Sequence, residues 1–169
     1  MIVLVMGVSG CGKTVVGAAL AEGLGWPFLD GDDYHPPANV AKMASGTPLV
    51  DADRWPWLDR LADEMRTILA RGGDAVLACS ALKRAYRDRL ARAASTANDI
   101  RLVHLKADYE TIAARMATRK HRYMPATLLK SQFATLEEPA DAVVVDASAT
   151  VVDEVASIRR QLGLEGVHA

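Results

Sequence analysis

The sequence predicts an α/β fold in which helices cover both faces of a parallel sheet, a three-layer α/β/α arrangement. Five short apolar segments alternate along the chain with longer segments of helical periodicity. Strands that are buried on both faces are apolar at every position rather than at alternate ones. Strands that alternate with helices form βαβ units with parallel strands and right-handed crossovers. The ligands of such sheets bind at the carboxyl ends of the strands.

The predicted strands are short and consist mainly of aliphatic and β-branched residues. They comprise residues 2–6, 27–30, 75–79, 100–105 and 142–145. The first strand runs directly into a glycine-rich segment, and the second ends in a cluster of aspartates. Because parallel strands end at one edge of a sheet, these segments are expected to lie together.

The predicted helices occupy the segments between the strands. Residues 14–24 are rich in Ala and Leu and stop at Gly25, a residue type that commonly ends helices. Pro56 suits a first helical turn, and apolar side chains then recur every three or four residues as far as Gly72. The remaining helical segments are residues 83–94, 109–118, 126–136 and 151–162.

Residues 31–55 interrupt this alternation of strands and helices. They hold three of the seven prolines, many polar side chains and little periodicity, so a long loop is expected. His35 and the tryptophans Trp55 and Trp57 are expected to shape and pack this region. A loop of this length in a small domain is generally functional, and we assign the binding of a second substrate to it.

Length and composition indicate one domain, residues 1–169, in a reducing compartment. Half of the residues are hydrophobic, and two cysteines, Cys11 and Cys79, are too few for a disulfide scaffold. No apolar stretch approaches the roughly 18 residues that span a bilayer. Residues 2–6 are too short for the core of a signal peptide. We therefore expect a cytoplasmic protein without a membrane partner.

The charges are distributed unevenly along the chain. The net charge is −1, but residues 1–82, 83–122 and 123–169 carry −4, +7 and −4. A general nucleic-acid binder has a large basic excess over the whole domain. Nucleic-acid binding would therefore rest on residues 83–122 alone. We expect no nucleic-acid partner and assign this basic segment to small anionic ligands.

Residues 7–14 match the phosphate-binding pattern GxxxxGKT between a predicted strand and a predicted helix. Glycines allow backbone N–H groups to surround an anion, and the helix adds its positive N-terminal end. Lys13 reaches the β- and γ-phosphates, and the Thr14 hydroxyl is a ligand for Mg²⁺. A dinucleotide fingerprint would need glycine where Val15 stands. The predicted ATP-binding residues of this loop are Gly7, Val8, Ser9, Gly10, Cys11, Gly12, Lys13 and Thr14.

The rest of the sequence favours a small-molecule kinase over other P-loop proteins. The guanine-reading tetrapeptide Asn-Lys-x-Asp does not occur, and Ser80 stands where a metal-binding Asp usually follows the third strand. Asp30, at the end of the second strand, is then the best-placed carboxylate to hold Mg²⁺ together with Thr14. A nucleotide-dependent switch without catalysis is the alternative, but it would not require the acidic and basic segments described next.

Asp32 and Asp33 follow Asp30 at the carboxyl end of the second predicted strand. A hydroxyl group that accepts a phosphoryl group needs a carboxylate that orients it and takes its proton. We expect Asp32 to act in this way, with Asp33 as the second choice. An ordinary Asp/Gly turn is the alternative interpretation of these residues.

Cations downstream of the aspartates indicate an anionic acceptor. Lys83 and Arg84 follow the third strand, where ligands gather, and arginine offers a bidentate match to a carboxylate. Taken singly, each such side chain is more often a solvated surface charge. The candidate cations are Lys42, Arg54, Lys83, Arg84 and Arg87.

A second basic segment lies between two predicted helices and includes Arg115, Arg119 and Arg122. We expect approximately residues 115–130 to form a small helical lid over the triphosphate. Such a lid excludes water and places guanidinium groups on the transferring phosphoryl group. Arg119 is grouped with Lys13 and Asp32 as catalytic, although the sequence does not rank the three arginines. A solvated basic face is the alternative.

Four segments of the sequence together carry a family resemblance. They are GVSGCGKT, FLDGDDYHPPANVAKMASGTPLVDADRWPWL, ACSALKRAYRDRL and RKHRYMPATLLKSQFATLEEP. They resemble the gluconokinases of the small P-loop kinase type, which are related in fold to shikimate and adenylate kinases. The resemblance extends over residues 2–139, and a generic P-loop protein would not share DGDDYHPPANVAKM, SALKRAYRDRL or LLKSQFATLEEP.

The resemblance implies ATP-dependent phosphorylation of D-gluconate to 6-phosphogluconate with Mg²⁺. It also implies a five-stranded parallel sheet and, in many members, a homodimer. By position, it assigns Arg115, Arg119 and Arg122 to the lid. The acceptor site that it implies consists of Asp32, Asp33, Lys42, Arg54, Lys83 and Arg87. A related kinase that acts on shikimate, a nucleoside monophosphate or another polyol acid is the second interpretation.

Overall fold

Strand β1 (Ile2–Met6) lies at the centre of a parallel sheet in the computed structural model, which describes residues 1–118 and 126–167. Val3 pairs with Val76 on one side and with Arg101 on the other. The strand order is β2-β3-β1-β4-β5. The other strands are β2 (Phe28–Asp30), β3 (Ala75–Ala78), β4 (Ile100–Lys106) and β5 (Val143–Asp146). The predicted five-stranded parallel sheet is therefore confirmed.

Helices connect the strands and form the outer layers. Two of them have the predicted bounds, and none in the described ranges combines the length and apolar composition needed to cross a membrane. A short 3₁₀ helix, Gly31–Tyr34, follows β2. The α-helices are α1 (Lys13–Leu24), α2 (Pro37–Ala44), α3 (Asp51–Ala70), α4 (Arg84–Ala91), α5 (Tyr109–Thr118), α6 (Ala126–Thr135) and α7 (Val151–Leu162).

Alternate side chains of β1 enter two separate hydrophobic cores. Val3 belongs to the same buried cluster as Leu20 of α1 and Ile158 of α7. Leu4 points to the opposite face and belongs to the cluster that contains Leu58 of α3. Every residue of β1 is buried, because both faces of the sheet are covered by helices. This arrangement confirms the predicted α/β/α layers.

The strand order fixes the position of a ligand crevice. On one side β1 is paired with β3 and on the other with β4. The connection that leaves β1 runs past β3 to β2, whereas the connection that leaves β3 runs past β1 to β4. Because these two connections diverge, a crevice opens at the carboxyl ends of β1 and β3. The glycine-rich residues 7–14 follow β1 at this position.

The prediction of a long loop over residues 31–55 was wrong. This segment contains the 3₁₀ helix, α2 and the first turn of α3. Helix α3 begins at Asp51, because the Asp53 carboxylate caps its first turn by accepting the Val50 N–H at 2.9 Å. Pro56 consequently lies within the helix rather than in its first turn, at the cost of one intrahelical hydrogen bond.

Glu154, in the first turn of α7, is an unusual buried carboxyl group. It is 3% exposed, and its Oε2 atom has no hydrogen-bond partner within residues 1–118 and 126–167. Burial raises the pKa of Glu154 to about 7; Asp146 adds to this shift and Arg115 opposes it. Because the folded protein retains this proton more strongly than the unfolded chain, Glu154 destabilises the fold progressively as the pH rises toward 7.

We expect Glu154→Gln to gain stability relative to the wild type as the pH is raised from 5 to 8. The neutral amide does not ionise, so the difference in unfolding free energy should shift by about 1–3 kcal/mol in favour of the variant. Urea unfolding at both pH values measures this shift, with Glu22→Gln on the exposed side of α1 as the control. Parallel pH curves for wild type and Glu154→Gln would show that Glu154 does not titrate on unfolding.

Candidate active site

The glycine-rich loop connects β1 to α1 through three residues with positive φ. Gly7, Gly10 and Gly12 have φ values of 145°, 88° and 105°, which residues with a Cβ rarely adopt. A Cβ atom at Gly7 would lie 2.7 Å from the Leu105 carbonyl oxygen. Lys13 Nζ donates to the Val8 carbonyl oxygen at 3.0 Å, so the ammonium group lies over the loop.

Asp30 connects this loop to the acidic segment. Thr14 Oγ1 donates to Asp30 Oδ2, and Asp32 N donates to Asp30 Oδ1, each at 3.0 Å. The hydroxyl and carboxylate oxygens are of the type that Mg²⁺ prefers, so the pair predicted to hold this ion fits it. No group of three or more His, Cys, Asp or Glu side chains forms a metal site in the part of the chain that the structure describes.

Cys79 lies between the phosphate loop and the acidic segment, at the end of β3. Burial raises the pKa of its thiol to about 12, while the charge of Lys13 lowers the pKa and the charges of Asp32 and Asp30 raise it. All three charges therefore act on one buried sulfur. The structure brings Lys13, Asp30 and Asp32 to the same edge of the sheet, as the sequence predicted.

Packed side chains of the 31–57 region support the acidic segment. The rings of His35 and Trp57 stack at 4.2 Å, and Trp57 Nε1 donates to the Gly31 carbonyl oxygen at 2.7 Å. Asn39 Nδ2 donates to the Asp53 carbonyl oxygen at 2.9 Å and lies 3.3 Å from His35 Nδ1. Burial lowers the pKa of His35, although Asp32 raises it and Arg54 lowers it further. His35 and Trp57 have the packing role that was expected.

Three of the predicted acceptor-site cations lie around Asp51 and Asp53 in the first turn of α3, and we call this group the cation network. Lys83 Nζ donates to both carboxylate oxygens of Asp51, at 2.9 and 2.8 Å. Lys42 Nζ donates to Asp53 Oδ2 at 2.7 Å. Arg54 donates to a backbone carbonyl oxygen and lies 4.0 Å from Asp51. The structure thus gathers three cations around two carboxylates, which balance their charges only in part.

Tyr86 completes this network from α4. Its hydroxyl donates to Asp51 Oδ1 at 2.5 Å, and its ring lies 5.5 Å from Lys83 Nζ and 5.7 Å from the Arg54 guanidinium carbon. Hydrogen bonds from Lys83 and Tyr86 hold the pKa of Asp51 below its usual range, so this carboxylate is ionised. The aromatic face and the carboxylate hold both cations in place.

Arg87 supports a strained turn beside this network. Its Nη1 donates to the carbonyl oxygens of Ala81 and Leu82, both at 3.0 Å. Ala81 has φ 43°, a left-handed conformation that is uncommon for residues other than glycine. Arg87 therefore stabilises the turn between β3 and α4, and Lys83 follows that turn. Contact of Arg87 with a substrate stays a prediction. Arg84 Nε lies 3.8 Å from Asp88 on the exposed face of α4.

The predicted lid residues are only partly described. Arg115 lies on α5, and its charge acts on Glu154 and on Asp146 at the end of β5. Arg119 and Arg122 lie outside the described residues, as do the neighbouring Lys120 and His121.

Sequence reasoning missed four polar residues of this edge: Asp51, Asp53, Tyr86 and Gln132. The aspartates, two positions apart just before Arg54, form a local acidic pattern that could have drawn attention to the first turn of α3. Gln132, on α6, accepts the Ser9 N–H of the phosphate loop at 2.6 Å. No sequence signal marked Tyr86 or Gln132 singly, because their partners lie far away in the chain.

A P-loop at the end of the central strand, beside an acidic segment and a cluster of cations, defines a P-loop kinase of small molecules. A family model described as AAA domain matches residues 2–139. This match covers the phosphate loop, the acidic segment, the cation network and α6.

Relatives and solved structures narrow this class. The gluconokinase of Gluconobacter oxydans is 51% identical over 140 residues, 82% of this chain and 76% of the relative. A crystal structure of a gluconokinase from Sinorhizobium meliloti matches with a TM-score of 0.85 and 41% identity, covering 95% of this chain and 90% of that chain. A crystal structure of a sugar kinase from Janibacter has a TM-score of 0.88 at 39% identity and covers 99% and 98%. The chain belongs to the gluconokinase family.

Proposed function

We propose that this protein transfers the γ-phosphoryl group of ATP to D-gluconate and releases ADP and 6-phospho-D-gluconate. The observation that carries the proposal is the cluster of Lys42, Arg54 and Lys83 at the same edge of the sheet as the phosphate loop. Gluconokinase relatives with about half of their residues identical support gluconate as the acceptor.

The phosphate loop provides the nucleotide site in this proposal. Backbone N–H groups of the phosphate loop other than that of Ser9, which Gln132 accepts, surround the β- and γ-phosphates. The Lys13 ammonium balances the charge of these phosphates. Thr14 and Asp30 would hold Mg²⁺, which would neutralise charge on the phosphate oxygens when bound. The lid, approximately residues 115–130, supplies Arg115, Arg119 and Arg122 to the triphosphate.

The network of cations provides the site for the acceptor's carboxylate. The Lys83 ammonium has three N–H donors, and Asp51 occupies them only in part. The three cations of this region share only two aspartates. The carboxylate of a sugar acid that binds to Lys83 and Arg54 would supply a third negative charge. The proposed acceptor site in residues 31–55 and beyond consists of Asp32, Asp33, Lys42, Arg54, Lys83 and Arg87.

Phosphoryl transfer then requires positioning and charge stabilisation. The acceptor oxygen forms a bond to the γ-phosphorus as the bond from that phosphorus to the bridging oxygen of ADP breaks. Asp32 orients the hydroxyl and takes its proton, while Lys13 and the lid arginines balance the charge that develops on the phosphoryl oxygens. Water exclusion by the lid favours the sugar hydroxyl over hydrolysis of ATP.

An acceptor panel tests this function. We expect ADP release from Mg·ATP to be stimulated by D-gluconate, and phosphorus NMR to show a phosphomonoester product. The matched control is D-glucitol, a polyol without the carboxylate, which should give little stimulation because the cations then lack their partner. Faster turnover with shikimate or a nucleoside monophosphate would contradict gluconate as the acceptor. ATP binding without stimulation by any acceptor would instead indicate a nucleotide-dependent switch.

A further inference from the structure

Gln132 of α6 makes two hydrogen bonds to one residue of the phosphate loop. Its Oε1 accepts the backbone N–H of Ser9 at 2.6 Å, and its Nε2 donates to Ser9 Oγ at 3.0 Å. Ser9 lies between Gly7 and Gly10, both of which have positive φ. The glutamine thus fixes a loop segment whose neighbours are the most permissive residues of the backbone.

The residues that follow Gln132 contact two other loops of the same sheet edge. The Glu137 N–H donates to the Leu82 carbonyl oxygen at 2.9 Å, and the Glu137 carboxylate accepts the Arg84 N–H at 2.6 Å. Glu138 pairs with Lys106 at the end of β4 at 2.7 Å. Residues 132–138, which we call the linking segment, therefore join the phosphate loop to the turn between β3 and α4.

The linking segment begins on a helix that is firmly packed. Leu129 of α6 is 2% exposed and belongs to the core cluster. Phe133 contacts the Tyr109 ring of α5 edge to face, with centroids 5.6 Å apart. Because α6 is packed on both the core and α5, Gln132 is a fixed support for Ser9 rather than a flexible side chain that follows the loop.

We propose that Gln132 is a positioning residue for phosphoryl transfer. Through the linking segment it holds the phosphate loop at a set distance from the β3–α4 turn, beside which Lys83 binds the acceptor; this role rests on the proposed function. Donor phosphate and acceptor hydroxyl must meet in line, and a misplacement of about 1 Å can reduce the rate about 100-fold. Gln132 acts on the reaction through Ser9 and does not itself touch the reacting atoms.

Gln132→Met tests the proposal, because methionine has a similar length and no amide group. We expect kcat with gluconate to fall roughly 10- to 100-fold with little change in the KM for gluconate. The ratio of ADP formed to phosphogluconate formed should rise, since a displaced γ-phosphate reacts with water in place of the hydroxyl. Binding of a non-hydrolysable ATP analogue, measured by calorimetry, reports the state of the loop without turnover.

Two further variants separate this role from a general loss of stability. Gln161→Met removes a glutamine of α7 whose hydrogen bonds are 3.5 and 3.1 Å long and lie away from the loop, and it should behave as the wild type. Ser9→Ala removes only the contact with the hydroxyl. Its effect should largely disappear in the Gln132→Met background, because Gln132→Met already removes the hydrogen bond to the Ser9 hydroxyl.

The possible results are distinguishable. A wild type that phosphorylates gluconate, together with a Gln132→Met variant of normal kcat and normal ADP-to-product ratio, would overturn the inference and leave the proposed function intact. A variant that only melts at a lower temperature would also overturn it, since the contact would then be structural. A wild type that does not use gluconate would contradict the proposed function and this inference with it.

Discussion

Lys13→Met is expected to lower kcat/KM for ATP by about 10²- to 10³-fold, the loss seen when one donor to a developing phosphoryl or oxyanion charge is removed. Lys13 is the first residue of α1, and its Nζ donates to the Val8 carbonyl oxygen at 3.0 Å. The ammonium therefore lies over the loop that is proposed to bind the phosphates. Methionine retains the length of the side chain but not its charge. Initial rates at saturating gluconate measure the effect.

The fold should tolerate this change. A cation at the N-terminal end of a helix opposes the helix dipole, so its removal does not destabilise α1. We expect an unchanged melting temperature, and Arg71→Met, an exposed position at the end of α3, provides the control for removing one positive charge. A Lys13→Met variant with nearly normal kcat/KM for ATP would mean that the triphosphate does not bind at this loop.

The sheet could be predicted because the burial of its strands is visible locally, in the residue types of each strand. All of β1 and β3 is buried, and a strand covered on both faces must be apolar at successive positions. Helices α5 and α7 were predicted with the observed bounds, since each keeps its apolar periodicity from end to end.

The prediction for residues 31–55 was wrong because this segment lacks a regular apolar pattern that would reveal its helices. Helix α2 has only eight residues, buries little beyond Asn39 and leaves Val40 half exposed, so it contributes no long apolar stripe to the core. The first turn of α3 directs Asp51 and Asp53 to the acceptor-side network, and regular apolar spacing starts only at Trp57. A helix that begins in a functional site is therefore predicted to start too late.

The candidate site was likewise predicted only in part. The phosphate loop is contiguous, so eight successive residues were enough to predict its position after β1. The cation network and the support of the phosphate loop depend on tertiary contacts. Lys83 and Asp51 are 32 positions apart, and Ser9 and Gln132 are 123 apart. Residue type marked Lys83 as a candidate cation but not the carboxylate that neutralises it. The support that Arg87 gives to the β3–α4 turn could not be predicted either, because its partners are backbone carbonyl groups, which every residue has.

Asp32→Asn is expected to lower kcat with gluconate by about 10²- to 10⁴-fold, the usual contribution of a general base. The amide has nearly the same size but cannot take the proton of the acceptor hydroxyl. Asp32 is exposed in the 3₁₀ helix, and its N–H, which donates to Asp30 Oδ1, is unaffected by the change of side chain. Binding of an ATP analogue should therefore remain nearly normal, and calorimetry with steady-state kinetics measures both quantities.

Asp33→Asn provides the matched control, since Asp33 is the neighbouring exposed carboxylate of the same 3₁₀ helix. NMR of His35 reports on Asp32 independently of turnover. The charge of Asp32 raises the pKa of His35 against the effect of burial, so Asp32→Asn should lower this pKa further. If Asp33→Asn loses more turnover than Asp32→Asn, the base is Asp33. If both variants remain active, neither carboxylate takes the proton, and transfer relies on positioning and charge alone.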